Sequence, residues 1–168
     1  LYSMQISHMT KSIFSQMIEN FIKLLEVTNT AAILQAQPNA QRTRSAEHAY
    51  RPESFFYYLT GIGEDNCALV IAPDTAGKFK THFFATPRNE TLELWTGKRL
   101  GLEGIGKIRD YDQVSDISCF YEKLPELLAP ADSTAIRLDI LEADSLQLIK
   151  AITASSSKKQ PRQNHHSA

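Results

Sequence analysis

The residues closest to a phosphate-binding signature are GLEGIGKI, Gly101 to Ile108. Gly101, Gly106 and Lys107 occupy positions of the G-x-x-x-x-G-K-[ST] loop, but Ile108 stands where a Mg²⁺-binding hydroxyl is required. The residues that follow read as a strand, not as the helix whose N-terminus would hold the phosphate. The spacing therefore predicts a glycine-bearing loop. In RDYDQVSD, Asp110, Asp112 and Asp116 begin like a calcium loop, but the required Gly and the distal Glu are missing. These read as solvated carboxylates at a strand end. His8, His48, His82, His165 and His166 never reach H-x-x-x-H spacing; His165 and His166 could bind adventitious metal at most. Cys67 and Cys119 form no CxxC pair and sit in apolar contexts, NCALVIA and ISCFYEKL. They read as buried thiols of a reducing compartment. No G-x-S-x-G elbow occurs. With no catalytic constellation, the expectation is a binding, assembly or regulatory unit.

A chain of 168 residues fits one domain, long enough to bury roughly 70% of its unfolded surface. Lys plus Arg (18) nearly balances Asp plus Glu (19), so no overall field would gather nucleic acid or anionic lipid. The basic cluster KKQPRQ, from Lys158, lies in a polar tail and reads as solvated linker. Glu19, Asn20, Lys23 and Glu26 interrupt the apolar stretch from Ile13 to Val27, which argues against a membrane span or secretory signal and for a cytoplasmic protein.

The elements that would carry these residues can be read from periodicity. Phe14, Met17, Ile18, Phe21, Ile22 and Leu25 form the stripe of an amphipathic helix, with Ser and Thr before it as caps, while residues 1–10 have no pattern. AAILQA, CALVIAPD and KTHFFATP read as strands, the last two joined by DTAGK, where Gly77 supplies a positive φ. In YRPESFFYYLTGIG, Pro52 suits a helix start and Gly61 a helix end, so Pro52 to Leu59 reads as a short helix. TLELWTG alternates and reads as a half-exposed strand; GKIRDYDQ reads as another strand. Ile117 to Leu128 reads as a helix disturbed by Pro125, TAIRLDI as a strand and EADSLQLIKAITASS as a final helix. These elements predict a mixed β-sheet flanked by helices on both faces, in the α/β class. Residues 1–155 would be the domain and 156–168 a polar tail.

Three segments, TRSAEHAYRPESFFYYLTG (Thr43 to Gly61), CALVIAP and TPRNETLELWTGKRLG (Thr86 to Gly101), resemble the N-terminal domain of Xaa-Pro aminopeptidases, the aminopeptidase P enzymes among creatinase/prolidase-type metallopeptidases. The resemblance implies a creatinase N-terminal-domain-like fold with ribonuclease-H-like layering. It also implies a separate C-terminal catalytic domain of pita-bread type, with two Asp, one His and two Glu holding two divalent metal ions, commonly manganese. None of those ligands has a counterpart here, and the tail falls where the linker to that domain would begin. No cofactor is expected within these residues. The implied parent reaction is hydrolysis of the first peptide bond of peptides with proline second, by a metal-bridging hydroxide.

In such enzymes the N-terminal domain builds oligomer contacts and overhangs a neighbouring subunit's active-site mouth. Its expected partners are therefore its own catalytic domain, neighbouring subunits and the peptide. By this resemblance Trp95 matches the tryptophan presented to the neighbouring site, where a rigid indole would wall a proline-containing peptide; alone, it reads as a core residue. Glu47 matches a position where relatives carry Asp, one methylene shorter. Arg162 aligns with an entrance arginine that would receive peptide carboxylates. Arg51 and Arg99 read as structural charges paired with local acids. The aromatic run reads as a core wedge: Phe55, Phe56 and Leu59 pack on the sheet, Tyr57 and Tyr58 reach other surfaces. A base-stacking platform would want interleaved Lys and Arg. The second function class is a free-standing, catalytically inactive protein-binding module, since homologous domains occur in histone-chaperone proteins.

Overall fold

The computed structural model describes residues 2–36, 54–136 and 142–157. In chain order the elements are α1 (Tyr2–Val27), β1 (Thr30–Ala36), α2 (Ser54–Thr60), β2 (Cys67–Pro73), β3 (Phe79–Ala85), α3 (Glu90–Thr96), α4 (Gly101–Ile108), β4 (Gln113–Asp116), a 3₁₀ turn (Ile117–Cys119), α5 (Phe120–Leu128), β5 (Ser133–Ile136) and α6 (Glu142–Ser157). Among these residues the strands form one sheet in the order β4-β3-β2-β1-β5. The three central strands pair antiparallel, Leu34 opposite Leu69 and Leu69 opposite Phe83. Both flanking strands, β5 on β1 and β4 on β3, run parallel to their neighbours. The expected mixed sheet is present.

The central strand explains its own composition. CALVIAP is buried at every position because alternate side chains enter two different cores. Cys67, Leu69 and Ile71 join Ile18 and Leu25 of α1, Phe56 and Leu59 of α2 and Ile105 of α4 on one face. Ala68, Val70 and Ala72 join Phe120, Leu124 and Leu128 of α5 and Leu148 and Ala151 of α6 on the other. Helices therefore cover both faces of the sheet. α5 continues through Pro125, with Leu124 and Leu128 buried on either side of it.

The aromatic run is the expected core wedge. In α2, Phe56 and Leu59 are buried, while Phe55 meets Phe21 edge-to-face at 5.4 Å and Tyr57 and Tyr58 are exposed. Gly61 ends the helix at φ 63°, and Gly77 has φ 81° in the β2–β3 turn. Arg109 fastens this region. Its guanidinium Nε donates to the Thr60 carbonyl (2.6 Å) and Nη1 to the Ile108 carbonyl (2.8 Å), and it stands 4.2 Å from the centre of the Phe14 ring. One buried cation thus serves the C-terminal ends of α2 and α4, where carbonyls and helix dipoles favour positive charge, and α1 through its ring.

Several expectations are overturned. The N-terminal residues without pattern are helical, because α1 begins at Tyr2: once a helix is nucleated downstream it propagates through residues free of Gly and Pro. TLELWTG is α3, not a strand. GLEGIGKI is α4, neither loop nor strand start: burial of Ile105, with Leu102 against the same core, outweighs the cost of Gly104 and Gly106, about 1 kcal/mol each. Cys119 is partly exposed, although Cys67 is buried as expected. The thiol of Cys67 is pushed up to about 12, chiefly by burial, and stays protonated.

Two of the three Asp residues, Asp112 and Asp116, are not merely solvated strand-end groups. Asp112 accepts from the Thr81 backbone N–H (2.8 Å) and hydroxyl (2.9 Å) and from Lys80 Nζ (3.2 Å), tying β3 to the approach to β4. Asp116 accepts from Ser118 N (2.8 Å) at the start of the 3₁₀ turn. His82 meets Gln113 across β3 and β4 at 3.2 Å, and burial lowers its pKa.

Candidate functional site

β3 leads through Pro87 and Arg88 into a corner made of α3, the loop Gly97 to Leu100 and α4. α3 begins because the Asn89 side chain accepts from Thr91 N (3.1 Å) and Leu92 N (3.2 Å), supplying two of the acceptors that a first helical turn lacks. It ends at Gly97, whose N–H donates to the Glu93 carbonyl at 3.1 Å, with φ 85° and ψ 164°, a backbone region essentially confined to glycine.

The side chains of α3 are distributed against the usual rule. Leu92 is 57% exposed, Leu94 82% and Trp95 87%. Glu93, on the side opposite the indole, has a side chain only 8% exposed. Its carboxylate accepts a fork from Arg88, Nε to Oε1 at 2.8 Å and Nη2 to Oε2 at 2.7 Å, and a further bond from Arg99 N at 3.4 Å. The Arg88 fork lowers the Glu93 carboxyl to about 2, and Glu93 in return raises the Arg88 guanidinium.

A second set of ties holds the following loop to the segment before β2. Arg99 pairs with Asp65, as expected of a structural charge, and Leu100 N donates to Glu64 Oε1. Asn66 Nδ2 donates to Thr86 Oγ1 at 3.1 Å. Gly101, at φ 62°, lies beneath the Arg88 side chain: a Cβ there would collide with Arg88 Cγ.

Of the expected site residues, Trp95 is on this corner, on a helix instead of a strand and more exposed than expected. Glu47 and Arg162 lie outside the described residues, as does Arg51. Sequence reasoning missed Asn89, Glu93 and Glu64. The signal for Asn89 was available: an Asn followed by Glu, with Gly seven residues beyond the first helical position, brackets a short helix. Among the described residues no group of three or more His, Cys, Asp or Glu is placed to hold a metal ion, so these side chains do not fit the dinuclear centre that the family resemblance implies. Among them, no helix is long and apolar enough to cross a membrane.

The family model for the aminopeptidase P N-terminal domain matches residues 12–136. The Xaa-Pro aminopeptidase of Haemophilus influenzae is 33% identical over 100 residues, covering 60% of this chain and 23% of that relative. The Xaa-Pro aminopeptidase of Escherichia coli is 30% identical over 103 residues, covering 61% of this chain and 23% of the relative. The chain thus spans 23% of the length of each of these relatives. Among solved structures, proline aminopeptidase P II from Yersinia pestis matches with a TM-score of 0.72 at 26% identity, over 85% of this chain and 33% of that one. Aminopeptidase P from Escherichia coli matches in fold with a TM-score of 0.73 at 24% identity, over 85% of this chain and 32% of that one. With residues 12–136 matched and the mixed sheet shared with these structures, the chain belongs to the aminopeptidase P N-terminal domain family.

Proposed function

We propose that this chain is the non-catalytic N-terminal domain of a metal-dependent Xaa-Pro aminopeptidase, and that α3 forms part of the wall through which proline-containing peptides reach the active site. The observation that carries this is Trp95, 87% exposed at the tip of a helix whose buried side is ionic. Leu92 and Leu94 are exposed on the same short helix, and apolar side chains grouped in water, unlike one scattered singly, mark a contact surface for a partner or ligand. A flat indole suits a pyrrolidine ring, and it supplies apolar area at the cost of fixing only two torsions. In this reading the divalent metal ions, manganese by family resemblance, belong to a catalytic domain that this one covers, its own or a neighbouring subunit's. Bound there, such ions would supply the chemistry of activating water as nucleophile, and the residues described here would bind and orient the peptide.

Two measurements test the reading. The 168-residue chain supplied with manganese should release no N-terminal residue from Xaa-Pro peptides; measurable metal-dependent release would overturn it. In the longer polypeptide carrying this domain, Trp95→Ala should raise KM about tenfold with kcat little changed, as for loss of roughly 1.4 kcal/mol of ground-state and transition-state binding alike. An unchanged KM would remove Trp95 from the entrance.

A further inference from the structure

A seven-residue helix is too short to persist by itself, since isolated helices below about 12–15 residues are marginal in water. Helices of this kind normally persist because an apolar face is buried, yet α3 turns Leu92, Leu94 and Trp95 outward. Among the described residues it packs extensively on no other helix or strand. What holds it is polar: the Asn89 cap, the Arg88–Glu93 fork, the Arg99 N–H on the same carboxylate, and the Gly97 terminus. Glu93 is the hub, receiving three donors from both sides of the helix in sequence.

The geometry is of the kind that makes an ion pair count. Most surface pairs contribute little because two long side chains must be ordered for one contact. Here the fork makes two parallel bonds, and the Arg88 stem is laid across Gly101, where only the absence of a Cβ leaves room.

We propose that Arg88, acting through Glu93, is a positioning residue for Trp95. The fork fixes the backbone from which the indole projects, leaving the ring only its own two torsions to search when a proline-containing peptide arrives. Pre-ordering of this kind lowers the entropy lost on binding. For its functional consequence the proposal rests on the reading of Trp95 as part of the substrate entrance; for its physical content it rests on the corner alone.

Trp95 is the only tryptophan in the 168 residues, so indole fluorescence of this chain reports this site and nothing else. Time-resolved anisotropy should show a larger amplitude of nanosecond local motion in Arg88→Met and in the isosteric Glu93→Gln than in the parent chain. Arg88→Lys, which keeps the charge but cannot fork, should fall between. Far-UV circular dichroism should show the cooperative melt of the sheet retained in all three variants. Unchanged anisotropy in both Arg88→Met and Glu93→Gln would overturn the positioning role, whatever Trp95 contacts. In the longer polypeptide, Arg88→Met should raise KM by about fivefold with kcat unchanged, and should add little to Trp95→Ala. Full additivity would also overturn it. If instead anisotropy loosens as expected while Trp95→Ala leaves KM unaltered, the entrance reading fails and the hold of Arg88 on α3 stands.

Discussion

Ser54–Thr60 and Glu90–Thr96 are both seven-residue helices bearing aromatic side chains, and they are held in opposite ways. In the first, Phe56 and Leu59 are buried against the sheet and Phe56 approaches Phe83 at 6.0 Å between ring centres. Its C-terminal carbonyl at Thr60 is taken by the buried Arg109. In the second, the apolar residues face water and a carboxylate faces inward. The comparison separates two uses of an aromatic residue that composition alone cannot tell apart. A ring that stabilises is surrounded; where a ring is displayed instead, something else must hold its helix.

The sharpest way to break the contrast is to truncate one ring from each helix. Phe56→Ala should cost about 3–5 kcal/mol by urea denaturation, because it opens a cavity in the core. Trp95→Ala should stay within about 0.5 kcal/mol by the same measurement, as for an exposed side chain. Comparable losses would mean that α3 is packed after all.

Next in size is Gly97→Ala, which forces a side chain onto a backbone region essentially confined to glycine at a cost of about 1–3 kcal/mol. The loss should appear in chemical denaturation and as faster amide exchange in the residues of α3. Asn89→Ala should follow at about 1 kcal/mol, the usual value of a helix cap. Its signature is local: amide exchange at Thr91 and Leu92 should accelerate while the β2 and β3 amides keep their protection.

The smallest effect expected is a pH dependence confined to the displayed helix. The Arg88 fork holds the Glu93 carboxyl at about 2 in the folded chain, against 4.5 for the free group. A depressed carboxyl stabilises above its unfolded pKa and loses that contribution as pH falls through the folded value. Trp95 anisotropy should therefore be flat from neutral pH to about 5 and relax between about 4.5 and 2. Relaxation beginning at pH 6 would point to a different group.

The sheet, both cores and the α2 wedge were legible from sequence because burial leaves a periodic trace. CALVIAPD reads as a strand and Phe14 to Leu25 as a helical stripe, and the structure buries both. α3 and α4 were misread for reasons that are physical. TLELWT alternates well enough to mimic a strand because its apolar residues are not arranged around a core at all. GLEGIGKI has the composition of a loop, and only the core awaiting Ile105 makes it a helix. The fork between Arg88 and Glu93 spans five residues across a helix start, a relation that no helical or strand period encodes.

The amino-acid order by itself determined the class of fold and the family, because apolar periodicity and motif spacing are local properties of a chain. Only the tertiary structure decided that Trp95 stands on an ionically held helix and that one buried arginine closes two helix ends. Charge partners and exposure depend on which distant segments are brought together, and a linear sequence holds that information only once the chain has folded.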